Sequence, residues 1–281
     1  MKKIITYLIT AGLLLTGMVK TVFAAAPQNT LQQVLSRGEL IVGTGDSNPP
    51  WHFKDAQGNL VGFDIDIAKI LANGLFNNPN KVKFVIQSDE SRIPNLLTGK
   101  VDITCQFMTV TAARAQQVAF TVTYYREGVG LLLRQGGAYT NYADLKKAGS
   151  KVTVAVLQNV YATQMVHEAL PDAQVDQYAS PNLMYQALDS GRADAAATDA
   201  SSVRWILKQN PTKYIDAGYY WDPQSYACAV RQGDQVWLNY VNTALTQAMT
   251  GVDFPEYAAA FQHWFGSMPP PPQIGFPQEF R

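Results

Sequence analysis

The sequence predicts an α/β protein in two lobes, with mostly parallel sheets and a chain that crosses between the lobes twice. Three observations carry this. Short apolar runs of strand length alternate with segments of helical periodicity along nearly the whole chain, the pattern of layered α/β architecture. The alternation comes as two sets, separated by irregular stretches at 124–128 and 222–226. After the first residues, no apolar run approaches the length of a membrane span.

The elements follow in order. Lys2 and Lys3, the largely apolar stretch Ile4 to Val19, and Val22-Phe23-Ala24 read as a secretory signal cleaved after Ala24. Pro27 disfavours cleavage after Ala26. The alternative is an uncleaved anchor helix, which the Gly and Thr interruptions disfavour. Leu40 to Gly43 reads as a strand, Phe63 to Leu75 as an amphipathic helix, and Val82 to Ile86 as a strand. A short helix at Ile93 to Leu97, a strand at Val101 to Phe107 and a helix opening at Thr111 complete the first set. Strands at Val129 to Leu133, Val152 to Leu157, Gln174 to Tyr178 and Ala193 to Thr198 make the second set. Helices at Tyr161 to Leu170, Leu183 to Leu188 and Ser202 to Lys208 alternate with them. A last strand, Tyr226 to Arg231, and helices Val236 to Met249 and Tyr257 to Phe265 return to the first set, before a proline-rich tail. The expected boundaries are lobe 1 at 25–123 and 227–281, lobe 2 at 129–221, and crossings at 124–128 and 222–226.

Charge and composition exclude several classes. The 22 basic and 22 acidic residues balance, and there is no basic stripe, which argues against a nucleic-acid partner. With 47% hydrophobic residues, a packed core needs no staples. The two cysteines, Cys105 and Cys228, are compatible with one disulfide and equally with two buried thiols. They are too few for a zinc site, and no metal site is expected. His52, His167 and His263 are scattered and read as surface or packing residues. No G-x-S-x-G elbow, H-E-x-x-H, phosphate-binding Gly loop or C-x-x-C is present, so no enzyme or cofactor is suggested.

Charged residues at strand ends stand out instead. Arg114 lies in the first turn of the helix that Thr111 opens, an unfavourable place for a cation without an anion nearby. Its guanidinium matches a carboxylate with two parallel hydrogen bonds. Asp199 ends a strand of the second set and opens a helix, where it reads either as a plain cap or as the partner of an ammonium group. A ligand carrying both groups bridges the two lobes. Each charge-assisted bond contributes roughly 1.5–3 kcal/mol, and micromolar binding needs about 8 kcal/mol.

Gly62-Phe63-Asp64-Ile65-Asp66-Ile67-Ala68 resembles the G-F-D-x-D-x-A signature of the family 3 solute-binding proteins, the periplasmic receptors for polar amino acids. So do Ile93-Pro94-Asn95-Leu96-Leu97, Gly99-Lys100-Val101-Asp102-Ile103, Thr109-Val110-Thr111 with Arg114, and Phe120-Thr121 before Tyr124-Tyr125. Ala143-Asp144-Leu145-Lys146, Gly191-Arg192-Ala193-Asp194 with Asp199, and Trp264-Phe265 continue the match. The resemblance implies a two-lobed type II periplasmic-binding fold, hinge closure on an amino acid, and delivery to an inner-membrane ABC permease by a monomeric receptor. It implies that Arg114, helped by Thr109, holds an α-carboxylate and that Asp199 holds an α-ammonium. The chain looks closest to the glutamate/aspartate receptors. Ser91-Arg92-Ile93-Pro94 is similar to their N-R-I-P motif, whose Arg reads a side-chain carboxylate, and Cys105 and Cys228 match a disulfide pair there.

Several positions depart from the pattern. Gly45 stands where relatives carry Asp or Arg, and Asn48 replaces a stacking aromatic, with Trp51 nearby. Asp89 is at a ligand-facing position, where it can neutralise Arg92. Phe107 replaces a small residue beside the carboxylate, and Pro181 a His. Gln158-Asn159-Val160-Tyr161 replaces a hydroxyl-rich loop, leaving Gln158 and Tyr161 as candidate contacts. Two other functions compete with transport. One is a cyclohexadienyl dehydratase-like enzyme with Asp89 or Glu90 as general acid. The other is a sensory receptor, which the sequence does not separate from transport.

Overall fold

The computed structural model describes residues 29–158 and 162–275. The expected signal segment, Tyr161 and the end of the tail lie outside the described residues. Helix α1 (Thr30–Arg37) leads into β1 (Leu40–Thr44). A small antiparallel sheet follows, β2 (Ser47–Asn48), β3 (His52–Lys54) and β4 (Leu60–Val61). Next come α2 (Phe63–Phe76), β5 (Val82–Ile86), α3 (Arg92–Leu97), β6 (Ile103–Thr109) and the short α4 (Ala112–Ala115). The long strand β7 (Ala119–Arg134) enters the second lobe. There α5 (Tyr142–Ala148), β8 (Thr153–Leu157), α6 (Ala162–Ala169), β9 (Gln174–Tyr178), α7 (Pro181–Asp189), β10 (Ala195–Asp199) and α8 (Ala200–Gln209) follow. Strand β11 (Tyr214–Val230) returns, and α9 (Gln235–Thr250) and α10 (Phe254–Phe265) close the first lobe.

The large sheet runs β5-β1-β6-β11-β7-β10-β8-β9. Pairing is parallel on the outer side of each lobe, where β1 meets β5 and β6, and β8 meets β9 and β10. It is antiparallel through the middle, where β6, β11, β7 and β10 meet. The sheet is therefore more mixed than the strand-helix alternation predicts. The reason is that β7 and β11 run through both lobes. Tyr124 and Tyr125 of β7 pack in the core built on Phe63, Leu71 and Trp237. Val129 and Leu131 of the same strand pack in the core of Val154, Val166 and Leu145.

The two stretches expected to be irregular are thus strand. Tyr226 pairs with Tyr125, Ser225 with Arg126 and Gln224 with Glu127. Their Gly, Pro and charged residues read as breakers, but the ladder accommodates them. It shifts register between Trp221 and Gln224, and Asp222 takes φ 51° there, a place where Pro223 interrupts no central pairing. Helices α1 and α5 and the small sheet are further elements the sequence did not indicate.

Two local features explain the motif beginning at Gly62. Its φ is 134°, and a Cβ at this position would lie 2.2 Å from the Trp51 carbonyl oxygen. Only glycine lets β3 approach the start of α2 so closely. Among the described residues, no helix is long and apolar enough to cross a membrane.

Cys105 of β6 and Cys228 of β11 form a disulfide, with Cα atoms 4.4 Å apart. The bond joins neighbouring strands of the first lobe but closes a loop of sequence separation 123, so it restricts the unfolded chain strongly. Replacing both cysteines by alanine is expected to lower unfolding stability by about 2–4 kcal/mol in urea denaturation. A loss below about 1 kcal/mol would show that the bond adds little beyond the strand pairing around it.

Candidate functional site

Asp64, in the first turn of α2, is buried and ties three elements together. It accepts hydrogen bonds from the Tyr124 hydroxyl at 2.6 Å, from His52 Nδ1 at 2.8 Å and from the Phe107 backbone N–H at 2.9 Å. A carboxylate only accepts, so Nδ1 of His52 carries the proton. The His52 ring stacks on Phe107, with centroids 4.7 Å apart and planes 14° from parallel. Phe107 has φ 32°, which L residues rarely adopt, and the bond to Asp64 and the stacking on His52 hold it there. His52 also accounts for Gly45. A Cβ on residue 45 would lie 2.5 Å from His52 Cδ2, so the buried imidazole fills the space an Asp or Arg side chain would need. His52 is therefore a packing residue that shapes the site from behind.

In front of this layer is an open recess of about 420 Å³ at the C-terminal ends of β1 and β5, where open α/β sheets place their ligands. Its lining includes the carboxylates Asp46, Asp89 and Glu90 and the amides Asn48, Gln87 and Gln106. The amides form a chain. Asn95 donates to Gln87 Oε1 at 2.9 Å, Gln87 donates to Gln106 Oε1 at 3.1 Å, and Gln106 donates to Asp89 Oδ1 at 2.9 Å. Lys54 pairs with Asp46 at 3.1 Å. Arg92 is turned into the protein, 7% exposed. It donates to the backbone carbonyls of Asp89 at 2.9 Å and Gln106 at 3.1 Å, and a third nitrogen lies 3.8 Å from the Asp89 carboxylate. Its guanidinium also lies over the Phe107 ring, 5.6 Å from the centroid. Burial pulls the Arg92 pKa down; Asp89 opposes this and the charge of Arg114 adds to it.

Arg114 sits at the end of β6. Thr111 caps α4 by accepting from the Arg114 N–H at 3.3 Å, and the guanidinium donates to the Thr109 carbonyl at 2.8 Å. Thr109 itself is the ladder partner of Tyr226 and donates its hydroxyl to Gln224 at 3.5 Å.

Asp199 lies across β11 and β7, on β10 opposite Val129. It occupies the cap position of α8, but its side chain makes no cap hydrogen bond. That task falls to Glu127 of β7, whose Oε1 accepts from Ser201 N–H at 3.2 Å and Gly128 N–H at 2.9 Å. Ser201 in turn accepts from the Trp51 indole N–H at 3.2 Å, a contact between the lobes. Water reaches the Asp199 carboxylate, yet protein surrounds it on most sides, and this crowding pushes its pKa up to about 6. Glu127 is pushed up to about 7, first by burial and then by the negative charge of Asp199. Burial and the charges of Asp199, Glu127 and Asp64 likewise raise the Tyr226 phenol.

The structure thus gathers Asn48 and Asp89 at the recess, with Arg92 and Phe107 behind it, Arg114 and Thr109 at the end of β6, and Asp199 on the opposite lobe. Trp51 does not line the recess; it is 4% exposed and packs edge-on against Tyr125 and Tyr226. Gln158 is exposed at the end of β8, and Tyr161 lies outside the described residues. Glu127 was not legible as a site residue. A single Glu ahead of Gly reads as a turn, and only the fold brings it to the start of α8.

The comparisons with known proteins agree with this geometry. The family model for bacterial extracellular solute-binding proteins, family 3, matches residues 40–267. A glutamine-binding protein of Geobacillus stearothermophilus is 30% identical over 212 residues, covering 75% of this chain and 80% of the relative. A glutamate/aspartate import solute-binding protein of Escherichia coli (strain K12) is 25% identical over 257 residues, covering 89% and 84%. The solved structure of an ancestral cationic amino acid solute-binding protein superposes with a TM-score of 0.72 at 33% identity, covering 84% of this chain and 99% of its own. A second structure of that ancestral protein, described as a precursor of cyclohexadienyl dehydratase, gives 0.63 at 33% identity, covering 85% and 100%. A two-lobed sheet with a recess at its strand ends, an Arg after β6 and a match running from β1 beyond the end of α10 lead to one assignment: the chain belongs to the bacterial extracellular solute-binding proteins, family 3.

Proposed function

We propose that the chain is a periplasmic receptor that captures an α-amino acid with an amide or cationic side chain and delivers it to an inner-membrane ABC permease. The observation that carries the side-chain class is the recess. It presents Asp46, Asp89 and Glu90 beside three amide side chains, while the Arg92 donors are turned toward backbone carbonyls and Asp89. A side-chain carboxylate finds repulsion there, and a donor group finds acceptors. This reading sets aside the acidic ligand that the Arg92 motif leads one to expect. The names of the glutamine-binding and cationic amino acid-binding relatives support it. Arg114 and Thr109 take the α-carboxylate, Asp199 takes the α-ammonium, and the two long strands bend at 124–128 and 222–226 as the lobes close.

A thermal-shift screen of the chain from Ala25, stripped of ligand by unfolding and refolding, tests this against the common L-amino acids. Glutamine or arginine at about a hundredfold excess over Kd is expected to raise Tm by about 5–10 °C. A selective rise with glutamate or aspartate would overturn the side-chain class.

A second reading, dehydratase chemistry, is kept by the ancestral precursor in the comparisons. Glu90 does not suit it as general acid. The residue is fully exposed, and bonds from its own backbone N–H and from Ser88 hold its pKa down, the opposite of what proton donation near neutrality needs. Turnover of prephenate or arogenate by the purified chain would displace the receptor reading.

A further inference from the structure

Glu127 has no part in the ligand set that the resemblance implies, yet it is the more deeply enclosed of two acids that share one corner of the cleft. It is 3% exposed, and its Oε2 is buried with no hydrogen-bond partner among the described residues. Its Oε1 accepts from the Ser201 N–H in the first turn of α8 and from the Gly128 N–H. Asp199 stands at the same helix start without capping it.

We infer that Glu127 is a positioning residue of the ammonium site: it caps α8 in place of Asp199, leaves the Asp199 carboxylate free for a ligand cation, and loses a proton when that cation arrives. The inference rests on the amino-acid receptor reading above. Two neighbouring carboxyls, one of them buried, do not both ionise readily, so the unliganded pair retains a proton near neutrality. The values of about 7 for Glu127 and about 6 for Asp199 agree with this. An ammonium at Asp199 supplies the missing positive charge. The O–H bond of Glu127 then breaks, its electron pair stays on the carboxylate, and the proton passes to buffer. The tyrosines around this corner keep their charge over the same range. Tyr125 of β7 and Tyr226 of β11 are both raised, mainly by burial, and stay neutral. Arg204 of α8 acts on Tyr125 and Tyr220, and Asp64 of α2 acts on Tyr226.

The sign follows directly. Binding that releases a proton strengthens as pH rises, by at most about tenfold per pH unit, and the gain ends once Glu127 is ionised without ligand. Calorimetry in phosphate and in Tris counts the protons released, with the common L-amino acid that binds most tightly as probe. About half a proton per ligand is expected near the Glu127 midpoint of about 7. In Glu127→Gln the amide oxygen still accepts from Ser201 and Gly128 while the titrating group is gone. That variant is expected to release almost no proton near pH ~7.5 and to bind with an affinity nearly flat from pH about 7 to about 8, its remaining pH dependence lying near the Asp199 value of about 6. Zero release by the wild type, or equal release by the variant, overturns the inference and leaves the receptor reading intact. Failure of every common amino acid to bind overturns both. If the variant does not fold, carbon-13 NMR of the wild-type Glu127 carboxyl decides: a midpoint that does not fall when the amino acid is bound overturns the inference.

Discussion

Arg114→Ala is expected to raise the Kd for the bound amino acid by about a hundredfold or more, because in the proposed role of Arg114 two charge-assisted hydrogen bonds to the α-carboxylate are lost together. Isothermal titration calorimetry reads this directly. The fold is expected to survive, since the side chain's described hydrogen bond is a single contact to the Thr109 carbonyl and the residue is only half-buried. Arg114→Lys keeps the charge but loses the planar fork, so its affinity falls between the two. Tight amino-acid binding by Arg114→Ala would remove the carboxylate from this end of the cleft. Asp199 would then have to be read as a structural acid rather than the second anchor.

Asp64→Ala is expected to cost about 3–5 kcal/mol of unfolding stability in urea denaturation. The side chain holds the His52 imidazole, the Phe107 backbone N–H and the Tyr124 hydroxyl at once, and His52 and Tyr124 are buried. Removing it strands three donors, two of them on buried side chains. The loss also reaches the site. Phe107 is held in its unusual backbone conformation partly by this bond, and the Phe107 ring lies under the Arg92 guanidinium. Weaker ligand binding is expected under conditions where the variant is still folded. A stability loss below about 1 kcal/mol would mean that the three donors find other partners.

Local patterning made much of the fold legible. Val82 to Ile86 and Gln174 to Tyr178 are strands with the bounds their sequence suggests, because each is a compact run between turn residues. The stretches 124–128 and 222–226 misled for a physical reason. Each serves two cores in succession, so its apolar alternation changes phase at the crossing, and Gly128 and Pro223 sit where the ladder shifts. Arg114 and Asp199 stood out in the sequence as candidates because they lie at strand ends, where a charge is conspicuous. Glu127 did not, because its meaning depends on a helix start that is distant in sequence. The pairing of Gly45 with His52 was equally hidden: the glycine is explained by a ring that β3 brings against it.

The disulfide bears on how the protein is made. During synthesis Cys105 leaves the ribosome well ahead of its partner, with the whole second lobe between them in sequence. Strand β6 cannot acquire its neighbour β11 until the chain has returned from that lobe, so the second lobe can assemble while the first waits. With only two cysteines in the sequence there is one intramolecular pairing to form. Maturation in an oxidising compartment therefore calls for an oxidant and for protection of one waiting thiol against other chains, and needs no enzyme to reshuffle bonds within the chain.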